Sequence, residues 1–225
     1  MRAMEVGLRE GVASLELSLT DGQIGRLLDY LDLIGKWTKV YNLTAVRDPQ
    51  EMLTHHLLDS LAVVRPLQTQ LENMRVAGGL APDSSVRLLD VGSGAGLPGA
   101  VIAICCPQIS VHCVDTVAKK AAFIQQVAVA LKLPNLRGIH ARVENLTETY
   151  DVVSSRAFAS LVDFVNWSCK TLAGQGVWMA MKGKHPADEL AALPETVEVF
   201  HVEPLVVPGL QAERCIVWMR HRTLA

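Results

Sequence analysis

Leu88-Leu89-Asp90-Val91-Gly92-Ser93-Gly94-Ala95-Gly96-Leu97-Pro98-Gly99 runs from an apolar stretch into alternating glycines and back into an apolar helical pattern. It reads as strand, tight turn, helix. Glycines at alternate positions let the main chain bend sharply and leave no Cβ between the backbone and a ligand, whose polar groups can then meet free N–H donors. The stretch predicts a nucleotide-type pocket.

A dinucleotide fingerprint has the form G-x-G-x-x-G, but the sixth position counted from Gly92 is Leu97, where the third glycine should pack helix on strand. The residues instead spell D-x-G-x-G-x-G. This resembles the first motif of S-adenosylmethionine-dependent methyltransferases, with Asp90 placed to hold the loop or the aminoacyl end of the cofactor. The plain alternative is a simple strand-to-helix turn. Val111-His112-Cys113-Val114-Asp115 then ends a second strand on a carboxylate, where a nucleotide fold places its acceptor for two ribose hydroxyls. Capping the following helix is the alternative for Asp115.

With 225 residues, half of them hydrophobic, the chain can bury one sizeable core with a small helical addition. Its net charge of -2 argues against coating nucleic acid by bulk electrostatics, so an RNA partner must be met by a local patch. The five cysteines form no C-x-x-C pair and sit in apolar runs, which suggests reduced core residues rather than a zinc site or disulfide framework. No apolar run reaches membrane-spanning length, and Glu5, Arg9 and Glu10 stand where a signal peptide needs its apolar region. A soluble, cytoplasmic protein is expected.

Residues 1–65 read as helices. Thr20 and Gln23 have capping-box spacing, and Ile24, Leu27, Leu28, Leu31, Ile34 and Trp37 recur on one helical face. Asp48-Pro49-Gln50-Glu51 opens another helix, on which His55 and Asp59 stand four apart. That spacing allows a facing His–carboxylate pair, or a plain surface pair touching a neighbouring loop. Met74 to Ser85, with Gly78-Gly79 and Pro82-Asp83, reads as a turn-rich linker. The boundary is placed there, with a helical region over 1–85 and an α/β domain over 86–225.

From residue 86 strands and helices alternate: strands at 86–91, 110–115, 136–140, 151–155 and 177–182, helices at 98–105, 117–132 and 158–172. Alternation of this kind implies right-handed crossovers and a mostly parallel sheet covered on both faces. Two strand-like runs at 196–202 and 215–219 follow with no helix between them, which predicts a closing antiparallel hairpin. Ligands of such sheets sit beyond the carboxyl ends of the strands. The polar residues there are Asp115, Val143-Glu144 beside an expected adenine, Arg156 and Lys182. Arg156 ends an apolar strand, so its guanidinium is expected in the cleft, on a cofactor carboxylate or a substrate phosphate; Lys182 has a similar claim. Helix-start charge for Glu144 and a surface salt bridge for Arg156 are the plainer alternatives.

Tyr41-Asn42-Leu43-Thr44-Ala45-Val46, His55-His56-Leu57-Leu58-Asp59-Ser60-Leu61, the Asp90–Gly99 loop, Ser155-Arg156-Ala157-Phe158-Ala159 and Met181-Lys182-Gly183 together resemble successive signatures of the GidB/RsmG family. These are bacterial small-subunit rRNA guanine-N7 methyltransferases. The resemblance runs from about Thr20 to Met219, with an expanded Glu72–Ser85 segment as its one departure. It implies a class I, Rossmann-like methyltransferase fold with N-terminal helices, S-adenosylmethionine as cofactor, and 16S rRNA, within the small ribosomal subunit, as partner. It also implies cofactor contacts at Gly92, Leu97, Val143, Glu144 and Arg156, alongside Asp90, Gly94 and Asp115.

Guanine N7 already carries a lone pair, so this chemistry needs no general base and no acid–base dyad is expected. A carboxylate such as Asp59 or Asp90 would stabilise the base as it becomes cationic. His55, Asp59 and Lys182 are therefore expected on the substrate side, with Trp37, Tyr41, Phe158 and Trp167 as aromatic candidates for stacking on an unpaired base. A small-molecule methyltransferase with a helical lid and a non-catalytic assembly factor are the competing readings. A monomer is expected.

Overall fold

The computed structural model describes residues 2–81 and 84–222, so Pro82 and Asp83 of the expected linker lie outside the described residues. The chain opens with α1 (Arg2–Ser14) and α2 (Asp21–Tyr41). The capping box forms as read: Thr20 accepts from the Gln23 N–H, and the Gln23 side chain accepts from the Thr20 N–H. Next come α3 (Pro49–Met52), a π-helical turn (Leu53–Leu58), α4 (Asp59–Leu61) and α5 (Val64–Val76). Asp48 caps α3 by accepting from the N–H groups of Gln50 and Glu51.

The remainder is β1 (Val86–Val91), α6 (Gly99–Cys105), β2 (Ile109–Asp115), α7 (Ala118–Ala130), β3 (Leu136–His140), β4 (Tyr150–Arg156), α8 (Leu161–Ser168), β5 (Leu172–Lys182), α9 (Ala187–Ala191), β6 (Val197–Leu205) and β7 (Arg214–His221). Seven strands lie in the order β3-β2-β1-β4-β5-β7-β6. All neighbours are parallel except β7, which runs against both β5 and β6. The expected hairpin-closed methyltransferase sheet is what forms. The winding reverses between β1 and β4, which opens a crevice at their carboxyl ends.

Alternate residues of β1 face different cores, as the two-residue period of a strand demands. Leu88 belongs to the same apolar cluster as Ile24, Leu27, Ile34, Leu57 and Leu67 of the N-terminal helices, whereas Leu89 and Val91 belong to that of Leu161 and Phe164 of α8. The N-terminal helices thus share an apolar cluster with one face of the sheet.

Several boundaries differ from the sequence reading, and α9 stands where that reading has no helix. α5 continues to Val76, into the stretch read as linker. α8 starts at Leu161 rather than 158, because Ala157 is left-handed (φ 51°) and Ser160 supplies the cap by accepting from the Asp163 N–H. β5 begins at Leu172, five residues before the expected 177.

The π-helical turn changes more than a boundary. The Asp59 N–H reaches Thr54 O and His56 O, not the His55 O that an α-helical turn would use. The expected facing pair of His55 and Asp59 does not form. The His55 carbonyl accepts from Arg156 instead, at 2.9 Å.

Candidate active site

The glycine loop is fixed from below and from the side. Asp90 is fully buried, accepting from the Gly99 N–H (2.9 Å) and from Ser154 Oγ (3.0 Å). Burial pushes its pKa up to about 6 in spite of those two bonds. Of the two roles expected for Asp90, the structure supports holding the loop; it does not line the cleft, and it has no free face to offer a cationic base. The Tyr30 hydroxyl donates to Ala95 O at 2.6 Å, so α2 anchors the loop across the helix–sheet interface.

Gly92 and Gly94 are both left-handed, with φ of 64° and 59°, where an L side chain is strained. A Cβ on Gly92 would also collide with the Phe158 ring. The expectation of free N–H donors is corrected here. The N–H groups of residues 92, 93, 94, 96 and 97 all donate within the protein, and the Ala95 N–H alone lacks an acceptor among the described residues. The loop therefore contributes shape and absence of side chains more than a row of donors.

Two cavities adjoin at the strand ends, sharing Gly92, Lys120 and Ala157. The first, about 450 Å³, is lined by Asp115, Val117, Val143, Glu144, Phe158 and Trp167 among others. Although the cap residue of α7 is Val117, Asp115 lines this cavity and also bonds the backbone on both sides of it. Its oxygens accept from the Gly94 N–H (3.0 Å) and the Val117 N–H (2.8 Å), with Lys120 at 3.7 Å. Each carboxylate oxygen has a second lone pair, so two hydroxyl donors can still be accepted. Phe158 and Trp167 meet edge to face, 5.8 Å apart, on the far wall.

The second cavity, about 550 Å³, takes Thr44, His55, His56 and Asp59 from the helices, Gly94 and Leu97 from the loop, and Arg156, Lys182 and Arg214 from strands. A nucleoside carrying an aminoacyl thioether arm fits this pair of spaces. The acid faces the first cavity, and a Cβ on Gly94, which lines the second, would meet no protein atom within 4 Å and would project into open space.

The charges around the second cavity are largely paired. Asp59, 3% exposed, accepts from Arg156 Nη1 (2.7 Å) and Arg214 Nε (2.8 Å). Its charge is thus matched twice over, which removes it as a free anion for a cationic purine. Arg156 does reach the cleft. Lys182 is held by Ala159 O (2.9 Å) and Glu189 (2.8 Å). His56, buried against Thr44 Oγ1 (3.0 Å), has its pKa pushed down to about 4 by burial and then by the Arg156 charge, so it stays neutral.

Among the aromatic candidates, Trp37 is partly buried against Phe123, and Tyr41 is exposed under Lys119. Sequence reasoning missed Tyr30 and Arg214. Tyr30 is buried on the apolar side of α2 beside Leu27 and Leu31, and nothing in the local pattern marks its hydroxyl. A charged residue opening the apolar run 215–219 was the available signal for Arg214.

A family model described as GidB, rRNA small subunit methyltransferase G, matches residues 23–217. A protein of Polaromonas sp. named ribosomal RNA small subunit methyltransferase G is 68% identical over all of this chain and 97% of its own length. One of the same name from Albidiferax ferrireducens is 68% identical over 98% of each chain. In overall fold the chain is similar to a SAM-dependent methyltransferase from Aquifex aeolicus, with a TM-score of 0.52 and 14% identity over 76% of this chain and 97% of that one. With its sheet order, its glycine loop and its near-complete alignment to these relatives, the chain belongs to the GidB family of small-subunit rRNA methyltransferases.

Proposed function

We propose that this chain transfers the methyl group of S-adenosylmethionine to N7 of a guanine in an unpaired loop of 16S rRNA. It acts as a cytoplasmic monomer on that RNA or on the small ribosomal subunit. The observation that carries the reading is the pair of adjoining cavities at the switch point of the sheet, in a chain of this family. No helix of the described residues is long and apolar enough to cross a membrane.

The cofactor supplies an electrophilic methyl on a positively charged sulfur. Asp115 would accept the ribose hydroxyls, Val143 would pack on the adenine with Glu144 at its rim, and Gly92, Gly94 and Leu97 would give room to the amino-acid arm. Arg156 would meet the carboxylate of that arm, with Asp59 and the His55 carbonyl fixing its direction. Asp59 is the one acid among the described residues lining the acceptor cavity, and two arginines hold it. A nucleophile that first had to lose a proton would find no free carboxylate there, whereas guanine N7 needs none. The residues then act by orientation and exclusion of water, an effect worth roughly 7–11 kcal/mol in well-aligned cases.

The test is transfer of labelled methyl from S-adenosylmethionine to small subunits or their rRNA, with the modified base mapped by cleavage after reduction. Label lost on ribonuclease treatment and a single 7-methylguanosine support the reading. Label on low-molecular-weight acceptors, or cofactor binding with no turnover on any subunit preparation, overturns it.

A further inference from the structure

We propose that Arg214, fixed by Asp59 beside Arg156, forms a binding site for a backbone phosphate of the acceptor RNA; this rests on the rRNA reading above. Asp59 is almost fully buried and gives one oxygen to each guanidinium, at 2.7 Å and 2.8 Å. Two cations on one carboxylate leave a net positive charge in the wall of the acceptor cavity. The two arginines differ in what remains to them. Arg156 is turned to the helix by its bonds to Asp59 and the His55 carbonyl, and it ends β4 at the cofactor crevice.

Arg214 sits at the start of β7, with its side chain 24% exposed. Its Nε is on Asp59 and its Nη1 on Glu213 O, and among the described residues its Nη2 has no acceptor. The other cations bordering the cavity are already engaged: Lys182 is spent on Ala159 O and Glu189, and Lys120 leans toward Asp115. A protein of net charge -2 must meet RNA through a few placed cations. A planar guanidinium held in direction by a buried acid binds phosphate with little left to order. Phosphate, not the base edge, is its ligand, since an arginine on guanine N7 would cover the nucleophile.

The experiment measures methyl transfer to small subunits over a series of salt concentrations for the parent, Arg214→Gln, Arg214→Lys and Asp59→Asn, with calorimetric affinity for S-adenosylhomocysteine alongside. Arg214→Gln is expected to raise KM for the subunit about tenfold or more, the loss of one charge-assisted hydrogen bond. It should also flatten the dependence of log KM on log salt by about 0.7–0.9, one phosphate's worth. Cofactor affinity should stay within about twofold of the parent, far less than the change in KM. Arg214→Lys should keep the salt slope and recover part of the KM. Asp59→Asn should weaken both RNA and cofactor binding; if it does not fold, the Arg214 variants decide alone. An unchanged KM and salt slope in Arg214→Gln, or an equal loss of cofactor affinity, overturns the phosphate site while leaving the rRNA reading intact. A parent that methylates no rRNA overturns both.

Discussion

Replacing Asp90 by asparagine is expected to alter how stability depends on pH, in one direction only. The carboxyl is fully buried, and its native pKa of about 6 stands above an ordinary value of 3.8. Between those values the native state holds more protons than the unfolded chain, so the free energy of unfolding falls as pH rises. A gap of about two units corresponds to roughly 3 kcal/mol in all, of which about 2 kcal/mol is spent between about pH 4.5 and about pH 7.5. Asparagine keeps the shape and an acceptor for the Gly99 N–H. Its amide can face Ser154 Oγ, whose own proton then turns to Leu89 O, 3.4 Å away. Urea unfolding of both proteins at the two ends of that range is the assay. The variant should gain about 2 kcal/mol on the parent from the acid to the neutral end. Stability curves that run parallel within about 0.5 kcal/mol would show that burial of this charge costs nothing, and the reasoning would fail.

His56 should do the reverse. With a native pKa of about 4, its contribution is present above its unfolded pKa and lost as pH falls through 4, so His56→Gln should gain roughly 2–3 kcal/mol on the parent between about pH 7.5 and about pH 4.5 in the same unfolding assay. Tyr30→Phe strips from the buried Ala95 carbonyl its only side-chain donor among the described residues and should cost about 1–3 kcal/mol in urea unfolding. Gly92→Ala drives a methyl into the Phe158 ring at a left-handed position. The loop of the free variant should relax out of that geometry, and returning it on binding costs about 1–2 kcal/mol, so calorimetry with S-adenosylhomocysteine should register a loss of affinity of about tenfold.

What could be read in the sequence was local. The strand, glycine bend and helix around residues 88–99 lie in one stretch, and Asp115 follows at the end of the next strand, so periodicity and spacing suffice to place them. The caps at Thr20 and Asp48 are equally local. The part that escaped depends on distant pairs. Tyr30 reaches Ala95 across 65 positions, and Arg214 reaches Asp59 across 155; no pattern within a window reports either. The His55–Asp59 pairing failed for another reason. Its spacing argument assumes an α-helix, and the π-helical turn over Leu53–Leu58 redirects the backbone bonds, leaving the His55 carbonyl to an arginine and the Asp59 carboxylate to two.

The position of β7 imposes an order of assembly. It is the last strand of the sheet in the chain yet lies between β5 and β6, so β6 has no hydrogen-bonding neighbour until synthesis has passed residue 221. The wall of the first cavity, built from residues up to Trp167, can be in place while the wall bearing Arg214 is still missing. A ribosome-bound or prematurely terminated chain would hold half a site, and the unmatched edge of β6 marks it for aggregation or proteolysis before it can modify anything.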